Sequence, residues 1–366
     1  MNARVYVLQE FNKPLVEQSI PIPELLPGQV LVKLKASGVC GSDLHMWKGE
    51  DSRTRLPMIL GHEGIGTVAG IGGKKCAADG SELREGDLVF WNRGISCGYC
   101  YYCAVLKEPS FCQNRKVPGI NVPMGVPPYL NGCYADHVIL DAGTNILKVP
   151  QTAIDPSVLV AASCSGATAA HGFDIVRPNL GETVVIFGPG PIGLFSAAYA
   201  KKYGAGEIVL IGGSEVRLEM GSQFGATTLL NRKKLTAAER QERIMELTSG
   251  RGADLIIEAS GSGDALREAI GLARMGGTVL SVGLSQPGGT FEFDGFLDLT
   301  RRNLRLQGVW VSDTRHAYQA MNLVLSNPEL FSRLVTHRFP LSEVNQALQV
   351  MDSREAIKAV LLPELG

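Results

Sequence analysis

The segment ETVVIFGPGPIGLFSAAYAKKYGAGEIVLIGG, from Glu182 to Gly213, carries the clearest indication of the fold in this sequence. Its β-branched start predicts a strand over Val184 to Phe187, and a glycine-rich turn follows. The next apolar segment predicts a helix from about Ile192 to Tyr203, and Ile208 to Ile211 predicts a second strand. The segment therefore predicts a β-α-β unit.

Three glycines lie in the turn of this unit: Gly188, Gly190 and Gly193 form a GxGxxG motif. Alone the motif is weak, but here it follows a strand and opens a helix. In that position it provides a tight turn, close approach of backbone to a pyrophosphate, and a helix N-terminus that receives phosphates. The sequence predicts a dinucleotide-binding site.

Further strands follow the β-α-β unit. Apolar, β-branched runs at 253–261, 276–283 and 304–312 alternate with helical patterns such as 264–274. Such runs are typical of buried parallel strands. We therefore expect an α/β domain with a doubly wound parallel sheet over residues 166–310.

The rest of the chain has a different pattern. Short alternating runs separated by Gly, Pro and Asp turns predict a β-rich section before residue 150, and an amphipathic helix and a closing strand are expected near the C-terminus. A length of 366 residues favours two domains.

Composition narrows the function. The formal net charge of −1 gives no electrostatic footprint for nucleic acid or anionic lipid, so we expect neither as a partner and favour small-molecule chemistry. The start has no apolar run of signal-peptide length, and apolar stretches elsewhere end well short of the ~18 residues of a membrane span. We therefore expect a cytoplasmic protein. In that reducing compartment, clustered cysteines are more often metal ligands than disulfides.

Four of the eight cysteines are clustered: Cys97, Cys100, Cys103 and Cys112 lie within sixteen residues. Spacings of two, two and eight residues let one loop surround a tetrahedral ion. Four thiolates leave no position open to a substrate. We predict a structural zinc site, in preference to a redox CxxC pair or thiols that only fill space.

A second set is spread over three glycine-rich stretches. Cys40 opens CGSDLH, His62 and Glu63 lie in GHEGIG, and Cys164 lies in SCSGATAAHG. Two cysteines and one histidine would leave the fourth position of zinc open to water or substrate. Cys76 and Cys133 have no comparable candidate ligands near them in the sequence and are interpreted as ordinary small residues.

Together these motifs resemble the zinc-containing medium-chain alcohol dehydrogenases, a family that includes sorbitol and threonine dehydrogenases. The resemblance covers essentially the whole chain, because CGSDLH, GHE, the cysteine lobe, GxGxxG and the EAIKAVL tail occur in the family's order. It implies a GroES-like catalytic domain built from both chain ends, 1–165 and 311–366, with a zinc lobe at about 93–115. It places the Rossmann dinucleotide-binding domain at 166–310.

The resemblance also implies residue roles. Cys40, His62 and Cys164 match the catalytic zinc ligands, and Glu63 an acid beside the metal. Further roles concern proton transfer and positioning: Asp43 matches the carboxylate that holds the ligand imidazole, Ser42 and His45 match the proton relay, and Thr168 matches a residue behind the nicotinamide ring. Two zinc ions per subunit, NAD or NADP, and a homodimer or homotetramer are implied.

The chain departs from the family in three places. Eight residues instead of seven precede Cys112, which a loop residue can absorb. Cys164 stands where polyol- and threonine-oxidising branches tend to place an acid, which slightly favours simpler alcohols. Gly212 and Gly213 stand where an acid normally contacts the ribose 2′-OH.

The missing acid bears on the cofactor. Without a carboxylate at Gly212, repulsion of a 2′-phosphate is removed, and Ser214 or Arg217 could contact the phosphate. This favours NADP, although Glu215 could still contact the ribose, and Arg217 could be only a solvated helix residue.

The function predicted is hydride transfer between an alcohol, or its aldehyde or ketone, and a nicotinamide cofactor. A polyol or threonine-type dehydrogenase of the same family is an alternative. A zinc-free quinone reductase or a non-catalytic binding protein is less favoured, because neither needs both cysteine sets and the relay pair.

Overall fold

The computed structural model describes residues 1–150 and 154–365. The chain divides into two compact units, Met1–Ala167 with Ser312–Gly366, and Thr168–Val311. Over the described ranges, every helix is too short or too polar to cross a membrane.

The first unit begins with strands and short helices. Its N-terminal strands are β1 (Asn2–Leu8), β2 (Val16–Pro21), β3 (Val30–Val39), β4 (Met58–Ile59), β5 (Gly64–Ile71), β6 (Leu88–Trp91), β7 (His137–Leu140) and β8 (Ile146–Lys148). Its N-terminal helices are α1 (Gly41–Lys48) and α2 (Tyr101–Ala104), with 3₁₀ turns at Pro109–Phe111 and Pro156–Ser163.

Helix α3 (Ser165–Ile175) leads into the second unit. The strands of that unit are β9 (Thr183–Phe187), β10 (Glu207–Gly212), β11 (Thr228–Asn231), β12 (Ala253–Glu258), β13 (Ala273–Ser281) and β14 (Arg305–Gly308). Its helices are α4 (Pro191–Lys202), α5 (Glu215–Gln223), α6 (Ala237–Leu247) and α7 (Gly263–Leu272), with a π-helical turn at Gly295–Thr300.

The chain then returns to the first unit. The elements of this return are α8 (Thr314–Ser326), α9 (Pro328–Ser332), β15 (Val335–Pro340), α10 (Val344–Asp352) and β16 (Lys358–Leu362), with 3₁₀ turns at Leu341–Glu343 and Pro363–Leu365.

The first unit is β-rich because both chain ends contribute to one sheet. A seven-stranded sheet has the order β15-β16-β3-β5-β6-β8, with β7 also paired to β3, and a smaller sheet has the order β2-β1-β4. Antiparallel pairing of β16 with β3 joins the C-terminal strand to the N-terminal section. Apolar side chains of both sections share one core, from Val5 and Val32 to Leu348 and Leu361.

The second unit has one parallel sheet with the order β11-β10-β9-β12-β13-β14. Numbered within the unit this is 3-2-1-4-5-6, the order of a dinucleotide-binding Rossmann sheet. All five residues of the central strand β9 are buried, which explains its continuous apolar run. The α/β fold class predicted from the sequence is confirmed.

Candidate catalytic centre and cofactor site

The four clustered cysteines converge. Their sulfur atoms all lie within 4.8 Å of one another. Cys112 Sγ is 3.6 Å from Cys97 Sγ and 4.0 Å from Cys100 Sγ. Two ligands each about 2.3 Å from a tetrahedral ion are about 3.8 Å apart, so this set has the dimensions of a Cys₄ zinc site.

Backbone N–H groups near the cluster donate hydrogen bonds to these sulfur atoms. The Cys100 N–H donates to Cys97 Sγ at 3.4 Å, and the Cys97 N–H donates to Cys112 Sγ at 3.3 Å. Desolvation raises the pKa of Cys97, but N–H donors from Tyr99, Asn114 and Cys100 outweigh it and lower that pKa to about 6. Donors that favour the thiolate also favour metal binding.

The second predicted set also converges, although its members come from distant parts of the first unit. One ligating atom from each of Cys40, His62, Glu63 and Cys164 lies within 4.8 Å of the others. Cys40 caps α1 just after β3, the His62–Glu63 pair precedes β5, and Cys164 ends the 3₁₀ turn before α3. Cys40 Sγ and Cys164 Sγ are 3.8 Å apart, the spacing expected of two tetrahedral zinc ligands at about 2.3 Å.

The imidazole of His62 fits a metal ligand. Its side chain is fully buried, with Nδ1 3.3 Å from Asp43 Oδ1. Its Nε2 is buried without a hydrogen-bond partner among the described residues. Asp43 Oδ2 in turn accepts from the Cys40 N–H at 2.8 Å. A carboxylate behind the ring and a free nitrogen in front of it are typical of a zinc-binding histidine.

Glu63 is held by a lysine that was not predicted from the sequence. Lys358 Nζ forms an ion pair with Glu63 Oε2, and the two side chains are 1% and 0% exposed. Burial alone would lower the pKa of Lys358, but the charges of Glu63 and Cys40 raise it. A Cβ at Gly38 would overlap Glu63 Oε2, so this pair also requires a glycine on β3.

Helix α1 carries the predicted relay residues. Ser42 Oγ lies 4.0 Å from Cys40 Sγ, next to the converging ligands. His45 follows one helical turn later, and residues three apart share a helix face. His45 Nδ1 contacts Glu50 Oε2 at 2.6 Å. A proton that leaves the ligand set through Ser42 could therefore pass to the imidazole of His45, which lies on the same face of α1.

Arg93 also lies against the ligand set. Its position there was not predicted from the sequence. It is 8% exposed, and its Nη1 donates to Cys164 Sγ. The hydrogen bond from Cys40 and the charge of Arg93 together lower the pKa of Cys164. Cys164 is 71 residues from Arg93, so no local pattern indicates the contact.

In the second unit, the GxGxxG glycines meet different requirements. Gly188 has φ +97°, and a Cβ at Gly193 would overlap Gly188 O, so the fold itself needs glycine at both. A Cβ at Gly190 would meet nothing within 4 Å. The fold does not demand glycine there, and the open space fits a pyrophosphate approaching the start of α4.

The predicted ribose site lies at the end of β10. A Cβ at Gly212 would lie 2.5 Å from Pro189 Cγ, so Pro189 occupies the space that an acidic side chain would need. Ser214 caps α5 without a side-chain capping bond, and Arg217 lies in the first turn of that helix. Thr168, the predicted nicotinamide contact, is buried within α3.

Basic residues that follow the next strand lie beside this predicted site and were not identified from the sequence. The segment Arg232-Lys233-Lys234 follows β11, and the Arg232 N–H donates to Gly212 O at 2.8 Å. A Cβ at Gly213 would lie 3.2 Å from Arg232 Nε and 3.5 Å from Lys233 Cε. Lys234 is paired with Glu215. The run NRKK at the end of the third Rossmann strand was the available signal.

Comparison with known proteins agrees with this architecture. Residues 26–151 match the family model of the alcohol dehydrogenase GroES-like domain, and residues 191–326 match that of the zinc-binding dehydrogenases. A crystal structure of an alcohol dehydrogenase from Thermotoga maritima superposes with a TM-score of 0.96, at 45% identity, covering 99% of each chain. The chain belongs to the zinc-binding alcohol dehydrogenase family.

Two curated relatives have more specific names. A 5-exo-hydroxycamphor dehydrogenase from Pseudomonas putida is 34% identical over 98% of this chain and 98% of its own length. An L-threonine 3-dehydrogenase from Bacillus subtilis strain 168 is 32% identical over 94% of each. This zinc-binding dehydrogenase is therefore a zinc-dependent oxidoreductase that acts on alcohols with a nicotinamide cofactor, as the sequence predicted.

Proposed function

We propose that this enzyme interconverts a secondary alcohol and its ketone with NADP, using one zinc ion at each cysteine set. The observation that carries the proposal is the convergence of Cys40, His62 and Cys164, with Glu63 beside them, within 4.8 Å. Both named relatives act on secondary hydroxyl groups, since 5-exo-hydroxycamphor and the 3-position of threonine each carry the hydroxyl on a carbon with two carbon neighbours.

Each residue of the centre has a separate task. Cys40, His62 and Cys164 hold the catalytic zinc, which supplies Lewis acidity toward the substrate oxygen when it is bound. Asp43 fixes the tautomer and orientation of His62. Ser42 Oγ accepts the hydroxyl proton of the alcohol, and His45 takes that proton outward on the same face of α1. The hydride goes to the nicotinamide of the cofactor.

The preference for NADP is supported by charge at the end of β10. A carboxylate there would repel the 2′-phosphate, and Pro189 leaves no room for one at Gly212. Arg232 and Lys233 lie next to Gly213 instead. A phosphate with close to two negative charges is bound by such donors, whereas the free 2′-OH of NAD gains little from them.

The experiment is a substrate panel of secondary alcohols, run with both cofactors on the zinc-loaded enzyme. We expect oxidation that is lost on chelation and restored by zinc.

Equilibrium titration with 2′,5′-ADP and with 5′-ADP separates cofactor choice from turnover. Lys233→Ala should weaken 2′,5′-ADP about 10-fold and leave 5′-ADP unchanged, as for one charge-assisted hydrogen bond. Lys202→Ala, in the last turn of α4, is the control. Equal affinity of the native enzyme for the two nucleotides would refute the NADP assignment.

A threonine-type activity is the second candidate, because a threonine dehydrogenase is among the relatives. Cys164 as the third ligand, where that branch tends to have an acid, favours other alcohols. Assay of L-threonine beside neutral secondary alcohols decides between them.

Two further properties belong to the proposal. We propose a cytoplasmic location, supported by six cysteines in two sets that bind zinc only as thiolates. We also propose a homodimer or homotetramer, from the family resemblance. Sedimentation of the purified enzyme at several concentrations tests the assembly.

A further inference from the structure

Arg93 is a buried cation with an unusual neighbour. It follows β6 and is 8% exposed, and its Nη1 donates to the thiol of Cys164. Arginine is rarely buried so fully without an anionic partner, because desolvating its charge costs several kcal/mol. If this side chain served only to fill space in the core, an uncharged residue would be sufficient.

The negative groups around Arg93 are already committed elsewhere. Burial alone would lower its pKa, but the charges of Cys164, Cys40 and Glu63 outweigh burial and raise it. In the proposed function both thiolates bind zinc, whose two positive charges offset theirs. Glu63 is paired with Lys358. Once the centre is loaded, the positive charge of Arg93 is left without a dedicated counter-charge among these groups.

A second guanidinium adds to the positive potential. Arg115 packs on Gly94, where a Cβ would overlap it, and it donates to Ser110 O at 3.2 Å and Ser312 O at 2.8 Å. Its Nε is buried without a hydrogen-bond partner in the described part of the chain. Burial, and then the charge of Arg93, lower the pKa of Arg115 to about 10. Asp313 and Cys112 act in the opposite direction on Arg115, so its nearest negative charges are Asp313 and a thiol of the structural cysteine set. Neither group is among the negative charges that act on Arg93.

We propose that Arg93 binds a carboxylate of the substrate, so that the preferred alcohols are hydroxy acids. The inference rests on the proposed function, because the reacting hydroxyl must lie at the Cys40, His62 and Cys164 set. Since Arg93 contacts a ligand sulfur, an anion that it binds lies close to that hydroxyl. The carboxylate is therefore one or two carbons from the carbinol carbon. A planar guanidinium matches a carboxylate with two parallel hydrogen bonds, which fixes the face of the substrate presented for hydride transfer.

The test uses two alcohols that differ only in charge near the same carbinol. 3-Hydroxybutyrate and 2-butanol share CH₃–CH(OH)–CH₂, and 3-hydroxybutyramide is a neutral match in size. The native enzyme should prefer the acid over both by about 10- to 100-fold in kcat/KM, as for one charge-assisted contact. Arg93→Met should abolish this preference while 2-butanol is still oxidised, and Arg93→Lys should keep part of it. Arg84→Gln, an exposed arginine, is the control.

A binding measurement separates substrate recognition from support of the metal. Calorimetric titration of zinc-loaded enzyme with 3-hydroxybutyrate, without cofactor, should show binding that Arg93→Met loses at unchanged zinc content. If Arg93→Met instead slows acid and neutral alcohol equally and releases zinc, Arg93 only supports Cys164 and the proposal is wrong. A preference for glycerol 3-phosphate over 3-hydroxybutyrate would overturn the carboxylate assignment. Oxidation of neutral alcohols without any anion preference refutes this inference alone, whereas absence of all alcohol oxidation refutes the proposed function.

Discussion

Breaking the buried ion pair between Lys358 and Glu63 should destabilise the first unit strongly. Both side chains are at most 1% exposed, so Lys358→Met leaves the Glu63 carboxylate buried without its ion-pair partner and without access to water. Removing one member of a buried pair costs about 3–5 kcal/mol. For a domain of this size, 1 kcal/mol lowers the melting temperature by about 2–4 °C, so we expect a loss of roughly 6–20 °C.

The assay is differential scanning calorimetry of zinc-loaded protein, with zinc content measured in parallel. Lys48→Met is the matched control, since Lys48 Nζ is 2.5 Å from Asp352 Oδ1 in the same unit, but these side chains are 32% and 39% exposed. A surface pair contributes only about 0–1 kcal/mol, so the control should melt within about 4 °C of the native protein.

A double variant identifies the cause. Lys358→Met combined with Glu63→Gln leaves no unpaired buried charge, so it should recover most of the loss caused by Lys358→Met. The reasoning is refuted if Lys358→Met melts like the surface control, or if the double variant loses the sum of the two single losses, because packing and not charge would then explain the effect.

Three other outcomes are expected. Cys100→Ser should lower thermal stability by opening the structural zinc site, while Cys40→Ser should abolish turnover in a folded protein; equal loss of folding would show that the two sites are misassigned. His45→Gln should slow alcohol oxidation most at low pH, by about 10²-fold, with partial rescue by imidazole buffer; an unchanged pH–rate profile would remove His45 from the relay. Burial and the hydrogen bond to Glu17 raise the pKa of Tyr6 from 10.0 to about 12. The unfolded chain therefore loses this proton first, and stability should fall as pH rises through that window. Melting curves of Tyr6→Phe should lack that part of the alkaline loss.

Local patterns were sufficient for much of the fold. Strand β9, the turn at Gly188 and helix α4 lie in one short stretch, and its β-α-β order predicts parallel strands joined by a right-handed crossover. The cysteines from Cys97 to Cys112 are likewise close in sequence, so their spacing alone predicts a metal site.

Contacts between residues far apart in the chain could not be predicted from such local patterns. Lys358 is an ordinary lysine in a C-terminal strand until the pairing of β16 with β3 brings it to Glu63. Pro189 excludes an acid at Gly212 only because the glycine-rich turn packs on the end of β10. Arg232 lies next to Gly213, in the predicted ribose site, because β11 pairs with β10.

The fold class, the family resemblance and the residue types available for zinc and nucleotide could all be inferred from the amino-acid sequence, because each depends on short-range spacing and hydrophobic period. Which charges surround the candidate ligands depends on the three-dimensional packing of the chain. The placement of Arg93 against Cys164 and of Lys358 against Glu63 follows from sheet register and core packing, in which residues far apart in the chain become neighbours. Burial then strengthens the electrostatic interactions of those charges, because water no longer screens them.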